Sequence, residues 1–211
     1  MKLTKDTVFG WAPSKIDGTE HEFSATEVTL PEEYSYREYL PKVINQGELS
    51  ICVPCSLSAF LNWNENLKDG SRKDNGIDLM DIYNHRPNNT NGMTFKDALR
   101  YLRHNGVDSK NGKLKIGAYA MIKKVRDLQY ALLLNGPCIA ALPVWSDNTE
   151  FWNQEYATNF YGYHAISIVG YNYEGFIIRN SWGKSYGDNG YAVIPYKNAD
   201  EFLEIWTIIQ A

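Results

Sequence analysis

The chain has 211 residues, 44% of them hydrophobic and 22% charged, and a formal net charge of −4. This composition is typical of a folded protein and excludes a largely disordered one. The acidic balance argues against nucleic acid as a partner, because proteins that bind phosphate backbones are usually basic. No apolar stretch approaches the ~20 residues that a membrane helix requires, so no membrane partner is expected. The opening residues lack the apolar core of a signal peptide, which predicts a cytoplasmic protein.

Helical periodicity marks the first half of the sequence. Before it, residues 1–45 are rich in turn formers and aromatic residues, which predicts an irregular wrapping segment with short strands. Apolar residues at helical spacing, flanked by cap and stop signals, predict three helices. The first is expected at 54–67, the second from an N-cap at Thr94 to Asn105–Gly106, and the third at 122–134. A loop-rich stretch is expected at 70–93.

The second half changes to short runs that are rich in β-branched and aromatic residues and separated by glycine and asparagine. These runs predict five strands, at 138–144, 164–171, 176–179, 191–196 and 202–209. Helices followed by strands indicate an α+β fold rather than alternating β-α-β units. We therefore expect a single domain of two lobes, mainly helical over 1–112 and mainly β over 113–211.

The cysteines and histidines limit the chemistry that the chain can perform. Three cysteines, Cys52, Cys55 and Cys138, are too few and too odd in number for a disulfide framework. The four histidines are scattered, and no HExxH motif or paired Cys/His spacing occurs, so no metal and no cofactor are expected. A phosphate-binding loop ending at Gly183–Lys184–Ser185 is excluded, because Ile178 stands where that motif requires glycine.

A CxxC motif with an internal proline lies at the start of the first predicted helix, at Cys52–Val53–Pro54–Cys55. A thiol–disulfide oxidoreductase uses this arrangement, because the helix start stabilises one thiolate and the second thiol resolves the mixed disulfide. Thioredoxin-like chains place the motif after a buried strand, whereas residues 42–48 are polar and turn-like. A redox protein is therefore an alternative, but a weaker one.

Three separated segments carry a more specific pattern. Gln46–Gly47 precedes Cys52, His164 opens an apolar strand, and Asn180–Ser181–Trp182–Gly183 is followed by the turn at 187–191. In this order they resemble the papain-like cysteine peptidases. Further similarity, to compact bacterial or phage-type members, comes from the opening Gly10–Trp11–Ala12–Pro13, the helix end at Gly106–Val107 and the turn Asn135–Gly136–Pro137.

The resemblance implies a papain-like fold, with a helical first lobe, an antiparallel β-barrel-like second lobe and an active-site cleft between them. It implies that Cys52 is the nucleophile and His164 the general base and acid. Asn180 would orient the imidazole, and Gln46 would donate a hydrogen bond to the oxyanion. A helix start and a nearby imidazolium lower a thiol pKa by several units, so a thiolate–imidazolium pair is expected.

Substrate contacts are implied at Gly92, Met93, Tyr163 and Trp182. The expected activity is a cysteine endopeptidase, which hydrolyses peptide bonds of a peptide or protein substrate through a thioester acyl-enzyme. We expect a monomer. The 45 residues before Gln46 are interpreted as part of the fold rather than as a long inhibitory segment.

Departures from the family pattern leave a second alternative open. Ile51 and Val53 flank Cys52 where the family often has Ser and Trp or Thr, and Tyr163 precedes His164 in place of an acidic residue. Ile51 would stand beside the oxyanion position and could narrow the adjacent subsite. A catalytically inactive relative that serves as a binding protein therefore competes with the peptidase.

Overall fold

The computed structural model describes residues 9–25, 28–87, 92–156 and 159–211. Within these ranges the chain forms four α-helices, which are α1 Cys52–Leu67, α2 Leu79–Asn84, α3 Phe95–His104 and α4 Arg126–Asn135. It also forms three 3₁₀ helices, at Arg37–Tyr39, Gln154–Tyr156 and Tyr196–Glu201.

The same ranges contain nine β-strands. In the first two thirds of the chain they are β1 Tyr34–Ser35, β2 Val107–Ser109, β3 Gly112–Leu114, β4 Ile116–Met121 and β5 Cys138–Val144. In the last third they are β6 Gly162–Tyr171, β7 Gly175–Arg179, β8 Tyr191–Pro195 and β9 Glu204–Gln210.

Seven of these strands form one antiparallel sheet in the order β4-β9-β5-β6-β7-β8, and β1 pairs with the end of β6. β5 pairs with β6 in a register that sets Leu142 opposite His164. Because β5 and β6 are covered on both faces, they are almost continuously apolar, as buried strands are. β2 and β3 form a separate hairpin.

Helix α1 is the central helix of the molecule. Thirteen of its 16 residues are buried, so it lacks a wide polar face. Pro54 lies in the first turn, where its missing N–H removes no intrahelical hydrogen bond. The Oγ atom of Ser167 in β6 donates to the carbonyl of Ser56 at 2.8 Å, which joins α1 to the sheet.

Buried apolar side chains form two clusters, one around the helices α1–α3 and one within the β-rich half. The fold is thus α+β with a helical part and a β-rich part. None of the described helices is long and apolar enough to cross a membrane.

Several predicted elements are confirmed. Thr94 caps α3 by accepting a hydrogen bond from the backbone N–H of Asp97 at 3.0 Å. The strand predicted at 138–144 is observed with those bounds, and the other four predicted strands begin and end within two residues of the observed ones. The first helix begins two residues earlier than predicted, at Cys52.

Other predictions are wrong in detail. The third helix begins at Arg126 rather than at Ile122, because the N–H of Ile122 donates to Ile205 O at 2.9 Å and continues the sheet. The stretch predicted as a loop contains the six-residue helix α2, capped by Asp78, which is too short to show helical periodicity. Strands β2, β3 and β4 were not predicted, since they are short and contain few β-branched residues.

Candidate active site

Cys52 is the first residue of α1, and no side chain caps this end of the helix. The backbone N–H groups near its sulfur, those of Ala165 and Gly10 among them, favour the thiolate. Complete burial outweighs them and raises the pKa of the Cys52 thiol to about 11. Burial thus works against the thiolate form of Cys52 in this structure.

His164 lies in β6, and its Nε2 atom is 2.8 Å from Oδ1 of Asn180. An amide oxygen accepts hydrogen bonds, so this contact fixes the tautomer that carries its proton on Nε2. The other ring nitrogen, Nδ1, is buried and has no hydrogen-bond partner among the described residues. Burial lowers the pKa of His164 to about 4, although the hydrogen bond with Asn180 opposes the shift.

Two contacts join the start of α1 to β6 directly after His164. The N–H of Ala165, the residue after His164, reaches the sulfur of Cys52. Ser56, one helical turn after Cys52, is hydrogen-bonded to Ser167, which lies two residues after Ala165 in β6. Because side chains alternate along a strand and repeat after a turn of a helix, these contacts fix the relative register of the two elements.

Aromatic rings enclose the imidazole of His164. Trp182 stacks on it at 4.8 Å between ring centroids and 29° between planes. Phe151 and Phe9 contact it edge-on, at 5.7 and 5.9 Å. These rings exclude water from the His164–Asn180 hydrogen bond, which strengthens the bond and disfavours a charged ring.

Gln46 is held beside this pair by the segment that follows Asn180. Its backbone N–H donates to Ser181 O at 2.8 Å, and its Oε1 accepts a hydrogen bond from Ser181 Oγ at 2.5 Å. Its Nε2 donates to Leu49 O at 2.8 Å. An amide nitrogen has two hydrogens, so one donor of Gln46 remains for a substrate oxygen.

Residues 9–12, which we call the covering segment, run past Cys52, and the backbone of Gly10 lies near its sulfur. Gly10 O accepts a hydrogen bond from Met93 N at 2.7 Å, and Ala12 N donates to Met93 O at 3.0 Å, in a parallel pairing. A Cβ atom on Gly10 would lie 2.0 Å from Ser50 O, so glycine is required for this close approach. The covering segment thus occupies the edge at Gly92–Met93 where a substrate backbone was expected.

The covering segment changes the expected electrostatics of the site. Cys52 and His164 have no exposed surface, and burial disfavours the charged form of each group. Burial therefore works against the expected thiolate–imidazolium pair in this covered form. Gly10 also packs against Ser50 and Ile51, the two residues that precede Cys52, so this part of the first 45 residues is packed into the fold.

The four residues with implied substrate contacts lie in different environments. Met93 is buried under the covering segment. Gly92 has a φ of 104°, and a Cβ atom added to it would lie 3.5 Å from Gly10 O. Trp182 is buried and stacks on the imidazole of His164, so its contact is with His164 rather than with an open pocket. Tyr163 is 38% exposed.

A cavity of about 620 Å³ adjoins Tyr163 and contains a carboxylate that sequence reasoning missed. Glu204, at the start of β9, lines it and is 9% exposed. Its Oε2 accepts a hydrogen bond from Ser14 N at 3.1 Å and its Oε1 one from Trp206 Nε1 at 2.6 Å. No motif marks Glu204, because only the pairing of β9 with β5 brings it to this cavity.

The remaining thiols do not contribute to this site. Cys55 and Cys138 are buried, and burial raises the pKa of both. All three cysteines are free, so the CxxC motif is not a disulfide here. Among the described residues, no group of three or more His, Cys, Asp or Glu side chains could hold a metal ion.

Residues 65–205, more than half of the chain, match the profile of the papain family cysteine proteases. This chain belongs to that family. The matched range includes His164 and Asn180 and begins after Cys52. A gut-specific cysteine proteinase of Caenorhabditis elegans is 31% identical over 100 residues, which are 44% of this chain and 30% of that protein. The chain spans about a quarter to a third of the length of the first curated relatives that it matches.

Two solved structures share the fold over nearly the whole chain. Xylellain, a cysteine protease from Xylella fastidiosa, has a TM-score of 0.83 at 19% identity and covers 100% of this chain and 99% of its own. A procathepsin B from Trypanosoma congolense has a TM-score of 0.81 at 15% identity and covers 99% of this chain and 89% of its own. The fold is therefore papain-like, with two lobes.

Proposed function

We propose that this chain is a cysteine peptidase that hydrolyses peptide bonds. The observation that carries the proposal is the orientation of His164. Its Nε2 is bound to Asn180, its buried Nδ1 has no hydrogen-bond partner among the described residues, and the next residue along the strand, Ala165, contacts a cysteine at a helix start. In this arrangement Nδ1 is the atom that accepts the proton of Cys52. A cysteine and a histidine held by a third group are the parts that nucleophilic catalysis needs.

The proposed reaction proceeds in two steps. The sulfur of Cys52 attacks the peptide carbonyl while His164 takes the thiol proton, and His164 then gives that proton to the leaving amine. Water, deprotonated by His164, cleaves the resulting thioester. The second Nε2 hydrogen of Gln46 and the backbone N–H of Cys52 stabilise the oxyanion that forms in each step.

The proposal requires that the covering segment leave before a substrate binds. A peptide cannot reach a sulfur that has no exposed surface and lies under Gly10. Departure of residues 9–12 also hydrates Cys52 and His164, which removes the main cause of the two pKa shifts. Access and activation of the thiol are thus expected to arise together.

Hydrolysis of a defined peptide mixture, followed by mass spectrometry, tests the proposal. The full chain and its Gly10→Val variant should both cleave the peptides, the variant faster. Cys52→Ala should abolish cleavage, whereas Cys55→Ala should retain it, because Cys55 is buried outside the proposed reaction. If neither the parent nor Gly10→Val cleaves any peptide, the hypothesis of an inactive binding protein is favoured. Loss of cleavage in Cys55→Ala with retained folding would instead favour a role for both thiols.

Glu204 is proposed to favour a basic substrate side chain. Its carboxylate lines the cavity beside Tyr163, and no Lys or Arg side chain among the described residues forms an ion pair with it. A substrate ammonium or guanidinium would meet an unpaired, nearly buried carboxylate there. Glu204→Gln should reduce the cleavage of peptides that place a basic side chain in this cavity, relative to peptides that place an apolar side chain there. An unchanged preference would refute this assignment.

We also propose that the protein is a compact family member that works as a monomer. The near-complete mutual coverage with the bacterial protease xylellain supports the compact subtype. All the proposed catalytic groups come from one chain, which supports the monomer.

A further inference from the structure

A second cavity, of about 510 Å³, shares no residue with the candidate active site. We call it the basic cavity, because four cations line it: Arg37, Lys42, Arg72 and Lys184. Its remaining lining residues are Pro41, Val43, Asn189 and Tyr191, none of which is charged. This concentration of positive charge stands out in a chain whose net charge is −4.

Most of these cations lack a counter-charge within the protein. Lys42, Arg72 and Lys184 are exposed and form no ion pair with any carboxylate of the described chain. Arg37 pairs with Asp188 at 2.8 Å, at the surface. Like charges around one concave surface repel each other and focus a positive potential, which a bound anion would relieve.

The walls of the basic cavity are held in place by a second layer of contacts. The guanidinium of Arg37 lies 4.1 Å from the ring centroid of Tyr191, in a cation–π contact. Behind it, the buried Arg179 donates to Tyr191 Oη at 2.6 Å and to the carbonyls of Pro41 and Lys42 at 2.9 and 3.0 Å. A pre-ordered guanidinium loses less entropy on binding a ligand.

Arg72 has donors to spare. Its Nε donates to Leu40 O, and its two terminal nitrogens have no hydrogen-bond partner among the described residues. Two parallel N–H groups of a guanidinium match two oxygens of a phosphate. The cavity volume also lies in the range of sites for small ligands, about 300–1,000 Å³.

We propose that the basic cavity binds a small ligand that carries a di- or triphosphate group. Three unpaired cations around one cavity exceed what a single carboxylate can neutralise, and two to four negative charges match them. An acidic peptide would need cations spaced along an extended groove rather than gathered at one place. The ligand is small, because the cavity is concave and the rest of the chain is acidic.

Calorimetric titration of the full chain with inorganic pyrophosphate and tripolyphosphate tests this site. We expect saturable binding at one site, with a Kd below about 1 mM at low salt and weaker binding at high salt. The double variant Lys42→Gln/Lys184→Gln should lose at least tenfold in affinity. Lys124→Gln, which removes an exposed lysine elsewhere, should bind like the parent.

Two further comparisons separate the phosphate site from a diffuse charge effect. Arg72→Lys keeps the positive charge but loses the two parallel N–H donors of the guanidinium, so it should lose nearly as much affinity as Arg72→Gln. Backbone amide shifts of Asn189 and Tyr191 should move on titration with pyrophosphate. Absence of saturable binding, an equal loss in Lys124→Gln, or equally tight binding of a glutamate peptide would each overturn the proposal. None of these readouts depends on peptide hydrolysis, so they fail independently of the proposed function.

Discussion

The environment of two side chains, Cys52 and His164, decides whether this protein can react. Both groups are fully buried, and burial favours the neutral form of each. A thiolate beside an imidazolium is a charge-separated state, which low-dielectric surroundings disfavour unless further groups stabilise it. Burial of both groups therefore opposes the thiolate–imidazolium pair that the family resemblance implies.

At the residue scale, Gln46 is expected to act on the oxyanion rather than on the thiol. Gln46→Ala should lower kcat by about a hundred-fold, because it removes one oxyanion donor, and should leave the alkylation rate of Cys52 nearly unchanged. Ser181→Ala is the matched control, since it removes the hydroxyl that donates to Gln46 Oε1 but keeps the amide donor. An equal loss of hydrolysis and alkylation in Gln46→Ala would assign Gln46 a structural role.

Asn180 offers a second residue-scale prediction, because its Oδ1 accepts from the ring of His164 and from the N–H of Ser181. Asn180→Ala should lower kcat by about a hundred-fold, since the ring loses its orientation. Asn180→Asp keeps the acceptor and adds a negative charge that favours imidazolium. Its acid limb in the pH profile of kcat/KM should therefore shift to higher pH. Identical profiles for Asn180→Asp and the parent would argue against a direct contact.

At the element scale, the covering segment is the feature whose position the sequence could not predict. Residues 9–12 are short, and their motif indicated only that they belong to the fold. They pair with Met93 and pass Ser50 at a distance that tolerates no side chain on Gly10. Position and direction of such a segment follow from long-range pairing and not from its own periodicity.

Displacing the covering segment should expose the nucleophile. In Gly10→Val the new Cβ would overlap Ser50 O, so the segment must move away. We expect iodoacetamide to alkylate Cys52 at least tenfold faster in this variant, which corresponds to about 1.4 kcal/mol in the opening equilibrium. Ala12→Val, which adds bulk to the same segment without that overlap, is the control. Equal alkylation rates in the parent and Gly10→Val, with folding retained, would mean that the segment does not limit access.

At the scale of the whole molecule, α1 and β6 form the junction on which the site depends. The helix supplies Cys52 and Ser56, and the strand supplies His164 and Ser167, with one hydrogen bond fixing their register. The sheet continues from β6 through β7 to the segment that carries Asn180. The site is thus assembled by packing between two parts of the chain that are more than a hundred residues apart.

The buried imidazole predicts a pH dependence of stability. The pKa of His164 is about 4 in the folded protein, against an ordinary value of 6.5. Between these values the unfolded chain takes up a proton that the folded protein does not. The free energy of unfolding should therefore fall as the pH drops from 6.5 towards 4, by about 1.4 kcal/mol per unit. Urea titrations should show a smaller fall for His164→Gln, and parallel curves for both proteins would contradict a neutral, buried His164.

Cys52 predicts the opposite pH dependence, at alkaline pH. Its pKa is raised to about 11 by burial, so the unfolded chain releases the thiol proton first. Stability from this group is complete below pH 9 and is lost as the pH rises towards 11. Cys52→Ala should show a weaker alkaline decline than the parent in the same titration.

Local chemistry in the sequence was enough to predict much of this protein. Interactions between residues close in sequence are enough to predict the capping contact at Thr94, the helix that starts near Pro54 and the five apolar strands. The family resemblance is likewise visible in the sequence motifs around Cys52, His164 and Asn180. Short elements such as α2 and β4 were not predicted, because they contain too few residues for a hydrophobic periodicity to be recognised.

Contacts between distant residues decided the rest. The hydrogen bond from His164 to Asn180 and the packing of Gly10 against Ser50 join residues from separate elements. The position of Glu204 beside one cavity, and of four cations around another, likewise depends on how those elements pack. The reason is physical: burial and desolvation set the protonation of a side chain, and both depend on what packs against it from elsewhere in the fold.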